Sequence, residues 1–200
     1  MLDDKFPLIT SRLVIRHVEE SDFVALFMLM KNRFLNLYFQ WPSIETTDEM
    51  DEYYSQFYYQ AYKDNPQTMR YGIELKYEQR FIGLLNIDPT EGAYRLEVAI
   101  HPSLWDNGLA YEACLRVIEI LKDEGIPYLT APIDVDNVAA IQLVNKLGFT
   151  YRYSYQQIIA YKCKGMRMYQ LDLNNDNCYE YNNYLTLALY HRKFIENLDN

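Results

Sequence analysis

The segment from His101 to Ala113 has the residue types of an anion-binding turn. A strand pattern ends at His101, and a loop with small residues at Gly108 and Ala110 runs directly into a helical pattern. The first turn of a helix has unpaired N–H groups and a partial positive charge, which together can hold a phosphate. Small residues let the anion approach the backbone closely. Taken alone, this pattern is also that of a plain turn, since the sequence contains neither a GxGxxG nor a GKS/T phosphate motif.

A second segment favours the phosphate interpretation. Asn137 follows the next strand pattern and opens a short helix that ends in the Lys-Leu-Gly-Phe of residues 146–149. Together the two segments resemble the GNAT superfamily of acyl-CoA-dependent N-acetyltransferases. Residues 105–110 look like its (Gln/Arg)-x-x-Gly-x-(Gly/Ala) pyrophosphate loop, and residues 137–149 look like its Asn-x-x-(Ser/Ala)…Lys-Leu-Gly-Phe segment.

Other residues resemble one branch of the superfamily, the ribosomal-protein N-terminal (RimJ/RimL-like) acetyltransferases with related spermidine and antibiotic acetyltransferases. Trp105 and the Glu-Ala pair at 112–113 are typical of this branch. Residues 10–16, followed by Asp22, match its first strand, and the Ile-Gly pair at 82–83 matches its third. The resemblance covers about residues 9 to 173.

Two segments of the chain are therefore expected. Residues 1–173 would form a GNAT-like acetyltransferase domain, and residues 174–200 would form a C-terminal extension with a helical pattern. The extension could pack against a second subunit, giving a homodimer, or cover the cleft.

The resemblance implies acetyl-CoA as cosubstrate, with no metal. The amides of residues 106–111 would hold the pyrophosphate, and the backbone of residues 98–100 would pair with the pantetheine arm and polarise the thioester carbonyl. The amine would attack the acetyl carbon directly, with both reactants held in one cleft. The implied cofactor-binding residues are Val98, Ala99, Ile100, Trp105, Asp106, Asn107, Gly108, Leu109, Ala110, Tyr111, Asn137 and Ala140.

This sequence departs from the family pattern in its charges and its acid. Asp106 and Asn107 stand where the family often has Gly and Lys, and residues 101–150 hold 7 acids against 3 cations. Because CoA is anionic, its binding would depend on backbone dipoles. Val144 replaces a tyrosine that protonates the leaving thiolate in many members, and Ala140 replaces a serine common in the branch. The motif therefore identifies no general acid, which leaves solvent for that role.

Glu97 is the candidate general base. An attacking ammonium must lose a proton, and a carboxylate commonly takes it, directly or through water. The alternation over residues 94–101 places Glu97 on a polar face of the central strand, where it could instead pair with Arg95 or His101. His101 is interpreted as structural, Asp136 as a helix cap and Cys114 as a core residue.

The acceptor side is acidic and aromatic. The acids Glu45, Asp48, Glu49, Asp51 and Glu52 precede a tyrosine-rich helix that extends to about Lys63. Such a wall suits a cationic amine through charge and cation–π contacts. The alternative is a solvated helix start, where the acids only interact favourably with the positive end of the helix dipole and the tyrosines pack on the sheet.

The element order β-α-α-β-β-β-α-β-α-β-β indicates an α/β (α+β) fold. We expect a mixed, mostly antiparallel sheet of six to seven strands flanked by helices, with a splayed central parallel pair formed by the crossover over 94–133. A helix is expected over 109–124. The last two strands, 150–161 and 166–173, would flank a turn at 162–165.

The composition limits the partners and the compartment. The 200 residues carry a formal net charge of −9 and include 20 tyrosines. Nucleic acids and anionic membranes call for a basic face, so neither is an expected partner. The chain has no apolar run of ~20 residues and no signal-peptide pattern at its start. Its three cysteines form no CxxC pair, so a cytoplasmic location is expected.

The expected function is an N-acetyltransferase that moves an acetyl group from acetyl-CoA to a primary amine, with a protein N-terminus favoured. A small amine, such as a polyamine or an antibiotic, is the alternative acceptor. A non-catalytic acyl-CoA-binding protein is a further alternative, because Asp106, Val144 and Ala140 all depart from the family pattern.

Overall fold

The computed structural model describes residues 5–39, 41–42, 44–64, 69–90, 93–159 and 162–174. The strands are β1 (Leu8–Ile9), β2 (Leu13–His17), β3 (Arg70–Leu75), β4 (Arg80–Thr90), β5 (Ala93–Ile100), β6 (Tyr128–Asp134), β7 (Thr150–Ile159) and β8 (Lys162–Asp172). The helices are α1 (Phe23–Met30), α2 (Thr47–Tyr54), α3 (Ala61–Asp64), α4 (Leu109–Asp123) and α5 (Val138–Lys146). Short 3₁₀ turns lie at Glu20–Asp22 and Pro102–Leu104, and a π-helical stretch joins α2 to α3 over Ser55–Gln60.

The eight strands of the described residues form one sheet in the order β1-β2-β3-β4-β5-β6-β8-β7. β5 and β6 run parallel, with Tyr94 opposite Leu129 and Arg95 opposite Thr130. The registered pairs β1–β2, β2–β3, β3–β4, β6–β8 and β7–β8 are antiparallel. The mixed, mostly antiparallel sheet with a parallel pair is thus confirmed. The additional strand is β1, whose two residues are too few to show an alternating pattern in the sequence.

The chain divides into two compact units, and β5 contributes to both. One unit comprises Met1–Ile87 and Glu97–Glu124, and the other comprises Asp88–Leu96 and Gly125–Asn200. The extension expected over 174–200 lies outside the described residues from position 175 onward. Among the described residues, no helix is long and apolar enough to cross a bilayer.

The first unit has a core in which tyrosines join aliphatic side chains. Every residue of α1 is apolar, and Leu26, Leu29 and Met30 are buried. The predicted helix from about 46 to 63 is present as α2, the π-helical stretch and α3 in succession. The buried cluster consists of Val18, Leu26, Leu29, Met30, Leu35, Ile44, Met50, Tyr58, Leu84 and Ala99. We call it the α1–α2 cluster.

An ion-paired network ties the start of α1 to the sheet of the first unit. Arg16 on β2 donates to both oxygens of Asp22 at 2.7 and 3.0 Å, and to Glu74 on β3 at 2.6 Å. Asp22 is 4% exposed, so its charge requires this partner. The hydrogen bond to Asp22 is the main cause that raises the pKa of Arg16. The Arg16–Asp22 pair of the first-strand motif is therefore a structural element.

The second unit corrects the predicted final turn. Residues 162–165 belong to β8, where Gly165 pairs with Gln156 and Lys164 pairs with Gln157. Gly165 is needed for packing, because a Cβ there would lie 3.2 Å from a methyl of Val135. Its carbonyl also accepts from the Val135 amide at 3.0 Å. A glycine in a strand often marks such a close approach, which sequence alone does not distinguish from a turn.

Candidate functional site

The carboxyl end of β5 is held against β4 at the point where the loop begins. The His101 amide donates to the carbonyl of Ile82 at 2.8 Å. A Cβ added to Gly83 would lie 2.1 Å from the Ala99 carbonyl oxygen, so only glycine permits this approach. The Ile-Gly pair of the sequence motif therefore fixes the position of the carboxyl end of β5 against β4.

The loop begins with a 3₁₀ turn that His101 caps. Its Nδ1 lies 2.8 Å from the hydroxyl of Ser103 and accepts from the Ser103 amide at 3.3 Å. The Leu104 amide donates to the His101 carbonyl at 2.9 Å. His101 thus has the structural role that the sequence suggested.

Trp105 folds back onto the end of β5. Its indole Nε1 donates to the carbonyl of Ile100 at 2.7 Å, and 42% of the residue is exposed. The Ile100 carbonyl is thereby engaged within the protein. Of the three residues expected to meet the pantetheine arm, Ile100 already accepts one hydrogen bond from Trp105, Val98 is half-buried and Ala99 is buried.

Two left-handed residues shape the turn into α4. Asp106 has φ 61° and Gly108 has φ 72°. Aspartate adopts this region more readily than most non-glycine residues, which explains how the loop tolerates a residue other than glycine at 106. The side chain of Asn107 braces the turn, donating to the carbonyls of Leu104 at 3.2 Å and Trp105 at 3.0 Å.

The amino-terminal end of α4 has no side-chain cap among the described residues. Gly108 is its N-cap residue and provides no side chain. By contrast, Thr46 caps α2 and Asn137 caps α5. The first turn of α4 therefore lacks the side-chain acceptor that α2 and α5 have.

The turn between β1 and β2 is bound to the first turn of α4 through Glu112. Its carboxylate accepts from the hydroxyls of Thr10 at 2.5 Å and Ser11 at 2.9 Å, and from the amide and Nε of Arg12 at 2.9 and 2.6 Å. Burial would raise the pKa of Glu112, but these hydrogen bonds outweigh it and lower the pKa to about 2. The carboxylate is therefore a fixed negative charge beside the loop.

Arg12 also reaches the loop itself, which sequence reasoning missed. Its Nη1 donates to the carbonyl of Asn107 at 2.9 Å. Arg12 is 95 residues from Asn107 and 100 residues from Glu112 along the chain, so no local pattern connects them. A signal was nevertheless present, because Arg12 and Glu112 both lie in segments that matched the branch.

Glu97 lies on a face of β5 that is not simply polar. Glu97 is half-buried, and Ala99, two residues further along the same face, is 3% exposed within the α1–α2 cluster. The predicted polar face is wrong in this respect, because a helical layer covers it in the first unit. A carboxylate beside such a layer is partly shielded from water.

The acidic and aromatic wall separates into two parts. Glu45, Asp48, Glu49, Asp51 and Glu52 are all exposed. Glu49 accepts from the amides of Glu45 and Thr46 in the α2 capping box, which lowers its pKa. The aromatic rings instead pack on one another, with Tyr53 on Phe57 at 4.5 Å and Tyr58 within 6.2 Å of Tyr62. These contacts favour the structural alternative for most of the tyrosines.

Asn137 and Ala140 lie in the second unit. Asn137 Oδ1 accepts from the Ala140 amide at 3.1 Å, so Asn137, and not Asp136, caps α5. Asp134 is also engaged, since its oxygens accept from the Asp136 amide at 3.0 Å and from Lys164 Nζ at 2.7 Å.

The described ranges contain no candidate metal site, and the Cys114 thiol lies in the core. No cluster of three His, Cys, Asp or Glu side chains suited to a metal occurs there. Cys114 is fully buried in α4, and burial raises the pKa of its thiol to about 12. The thiol is therefore unreactive, as expected for a core residue.

A family model described as an acetyltransferase (GNAT) domain matches residues 12–150. This chain belongs to the GNAT acetyltransferase family. The match includes Arg12, the loop before α4, and the Asn137 cap. The GNAT fold and the N-acetyltransferase class expected from the sequence are thereby confirmed.

One curated relative and two solved structures are similar to this GNAT domain. The uncharacterized N-acetyltransferase YoaA of Bacillus subtilis (strain 168) is 26% identical over 149 residues, covering 72% of this chain and 83% of that protein. RimL, a ribosomal alpha-N-protein acetyltransferase solved with coenzyme A, has a TM-score of 0.74 at 17% identity, covering 85% of this chain and 99% of that one. Spermidine N-acetyltransferase from Vibrio cholerae, solved with CoA and spermine, has a TM-score of 0.70 at 19% identity, covering 83% and 98%.

Proposed function

We propose that this GNAT domain transfers an acetyl group from acetyl-CoA to a primary amine, with a protein N-terminus as the favoured acceptor. The observation that carries the proposal is the uncapped start of α4 behind the left-handed Gly108. Small residues at 108 and 110 leave the backbone amides of this turn accessible to an anion. The donor set therefore fits the pyrophosphate of CoA.

The loop would bind the cosubstrate by its backbone. The amides of residues 106–111 would donate to the pyrophosphate, with Trp105 holding the loop against the end of β5. The backbone of residues 98–100 would pair with the pantetheine arm, and Asn137 and Ala140 are the remaining residues proposed to contact the cosubstrate. Asp106 opposes anion binding by its charge, so cosubstrate affinity would be sensitive to this residue.

Glu97 would act as the general base. The acceptor amine enters as an ammonium and must lose a proton before its lone pair attacks the acetyl carbonyl. Glu97 would accept this proton directly or through water. Val144 is buried and apolar. It occupies the position where many family members have a tyrosine that protonates the leaving thiolate. The departing thiolate would therefore take its proton from solvent.

The acceptor class is the finer part of the proposal. RimL acts on a ribosomal alpha-amine and the Vibrio protein is named for spermidine, so a peptide N-terminus and a polyamine are both represented among similar folds. The exposed acids at the start of α2 suit either cation. We favour the peptide because of the branch motif at 105 and 112–113. An antibiotic amine is a further small-amine candidate.

Three wider features belong to the proposal. Residues 1–173 would act as one acetyltransferase domain, with 174–200 as its extension. The protein would work in the cytoplasm and could form a homodimer. A non-catalytic acyl-CoA-binding protein is the competing function, motivated by Val144 and Ala140, and it would bind the cosubstrate without turnover.

A binding and turnover experiment tests the proposal. Calorimetry with acetyl-CoA should show saturable binding, and a panel of peptides and small amines should show mass gains of one acetyl group. Ala110→Glu should abolish binding, while Leu115→Glu, an exposed position of the same helix, should not. No binding by the unaltered protein refutes the proposal, and binding without any turnover supports the non-catalytic alternative.

A further inference from the structure

We infer that Arg12 is a positioning residue that fixes the shape of the acetyl-CoA loop. The inference rests on the proposed function, because it concerns the same loop. The guanidinium of Arg12 donates from Nη1 to the Asn107 carbonyl at 2.9 Å and from Nε to Glu112 at 2.6 Å. One side chain thus joins the residue before the N-cap to the first turn of α4.

The planar fork of arginine makes this bridge possible. Nε and Nη1 lie in one rigid plane and bind acceptors at separate sites, whereas the ammonium of lysine is a single point charge on a flexible stem. Nη2 lies 3.7 Å from the position that a Cβ would take on Gly108. The guanidinium therefore borders the left-handed residue from which the uncapped amides begin.

The base of the bridge is held independently of the loop. The Arg12 amide donates to Glu112 at 2.9 Å, as does the Ser11 hydroxyl. The β1–β2 turn is thus attached to α4 by several bonds, so the side chain of Arg12 leaves from a fixed point. A fixed point at one end and a hydrogen bond to Asn107 at the other restrict the loop between them.

The bridge also balances charge at an anion site. Glu112 places a negative charge in the first turn of α4, and Asp106 adds another in the loop. Arg12 neutralises the charge of Glu112 by direct contact. A loop whose own segment has no Lys or Arg thus receives a cation from the β1–β2 turn, 95 residues earlier in the chain.

The test compares three single variants of the full chain. Arg12→Ala removes the bridge, and Arg12→Lys keeps the charge without the fork. Ser11→Ala is the matched control, because it removes a bond to the same Glu112 carboxylate but touches no loop atom. Calorimetry measures the Kd of coenzyme A, and hydrogen exchange measures the amides of residues 105–111. Both are measured at a temperature where all variants are folded.

The expected result is the same for both arginine variants. Each weakens coenzyme A binding about tenfold, which corresponds to the loss of about one hydrogen bond to a charged group, and speeds exchange of the loop amides. Ser11→Ala changes neither, although it lowers the melting temperature. Unchanged exchange in Arg12→Ala overturns the inference, and so does full recovery of binding in Arg12→Lys. Failure of the unaltered protein to bind coenzyme A refutes the proposed function, and the exchange measurement still decides the role of Arg12.

Discussion

The indole of Trp105 and the carbonyl of Ile100 close the end of β5 with a hydrogen bond of 2.7 Å. The bond spans the 3₁₀ turn and holds the loop against the strand that precedes it. A carbonyl at a strand end would otherwise face solvent or ligand. Trp105 therefore has two roles in the molecule: it satisfies the backbone and it defines one edge of the loop.

Replacing Trp105 with Phe should cost stability through this bond. A smaller aromatic ring remains, but the Ile100 carbonyl loses its donor, at a cost of about 1 kcal/mol. For a chain of this size that lowers the melting temperature by about 2–4 °C. Scanning calorimetry measures it. Tyr77→Phe, at a site that is 84% exposed, is the control, and equal melting temperatures for the two variants would contradict the prediction.

Gly83→Ala should disrupt the junction of β4 and β5. The new Cβ would lie 2.1 Å from the Ala99 carbonyl oxygen, so the two strands must separate. We expect a loss of about 3 kcal/mol in the free energy of unfolding, as is typical of severe overpacking, together with a large loss of acetyl transfer. Urea unfolding and an activity assay measure both. Gly125→Asn is the control, because nothing lies within 4 Å of that site and asparagine tolerates its left-handed φ.

Asp106→Asn should improve cosubstrate binding. Asparagine keeps the left-handed conformation at φ 61° and removes a negative charge from the pyrophosphate loop. A unit charge a few ångströms from an anion in water is worth about 1 kcal/mol, so the KM for acetyl-CoA should fall about threefold to fivefold. The gain should shrink at high salt, because salt screens exposed charges. Asp123→Asn, at the far end of α4, should leave KM unchanged; an equal fall there would point to net charge alone.

Stability should decline in acid through Glu112. Its pKa is lowered from an ordinary 4.5 to about 2 in the folded chain. The stabilisation is therefore complete above pH 4.5 and is lost as the pH falls toward 2. Glu112→Gln should cost about 2 kcal/mol at neutral pH, less than the full shift implies because the site is partly solvated. Urea midpoints across this pH range measure it, with Glu119→Gln, part of an exposed pair, as the control. A parallel decline in Glu112→Gln and the unaltered chain would contradict the assignment.

Glu97→Gln should slow the transfer step. Removing a general base lowers kcat by about a hundredfold or more and removes the acid limb of its pH profile, while the Kd of acetyl-CoA changes little. Glu78→Gln, on the exposed β3–β4 turn, is the control. An unaltered pH profile in Glu97→Gln would exclude this residue as the base.

Local patterns predicted most of the elements, and contacts between distant segments account for what they missed. The apolar stripe before Gly125 gave α4 to within one residue of its end, because one helix face is buried. The sequence predicts a turn at Gly165, but a glycine is needed there because Val135, on another segment, leaves little room for a side chain. Asp136 and Asn137 are both favourable N-cap residues. The residue at which the backbone enters the helix determines which of them caps α5, and the sequence does not show this residue.

In the candidate site, too, local patterns predicted some features, and contacts between distant segments account for the others. The loop and its glycine were predictable from residue types, since phosphate binding needs small residues before a helix. The Arg12 bridge was not, because its partners are far away in sequence. The prediction of a polar face on β5 is wrong because alternation shows which way the side chains point, but not which elements cover that face of the strand.

The burial of Tyr58 in the α1–α2 cluster gives the protein an internal optical reporter. Burial is the main cause that raises the pKa of this phenol well above 10, so phenolate forms there only when the cluster opens. The rise of phenolate absorbance during an alkaline titration would therefore show a late phase when the core of the first unit gives way. In a chain with 20 tyrosines, that phase would follow unfolding without any added dye.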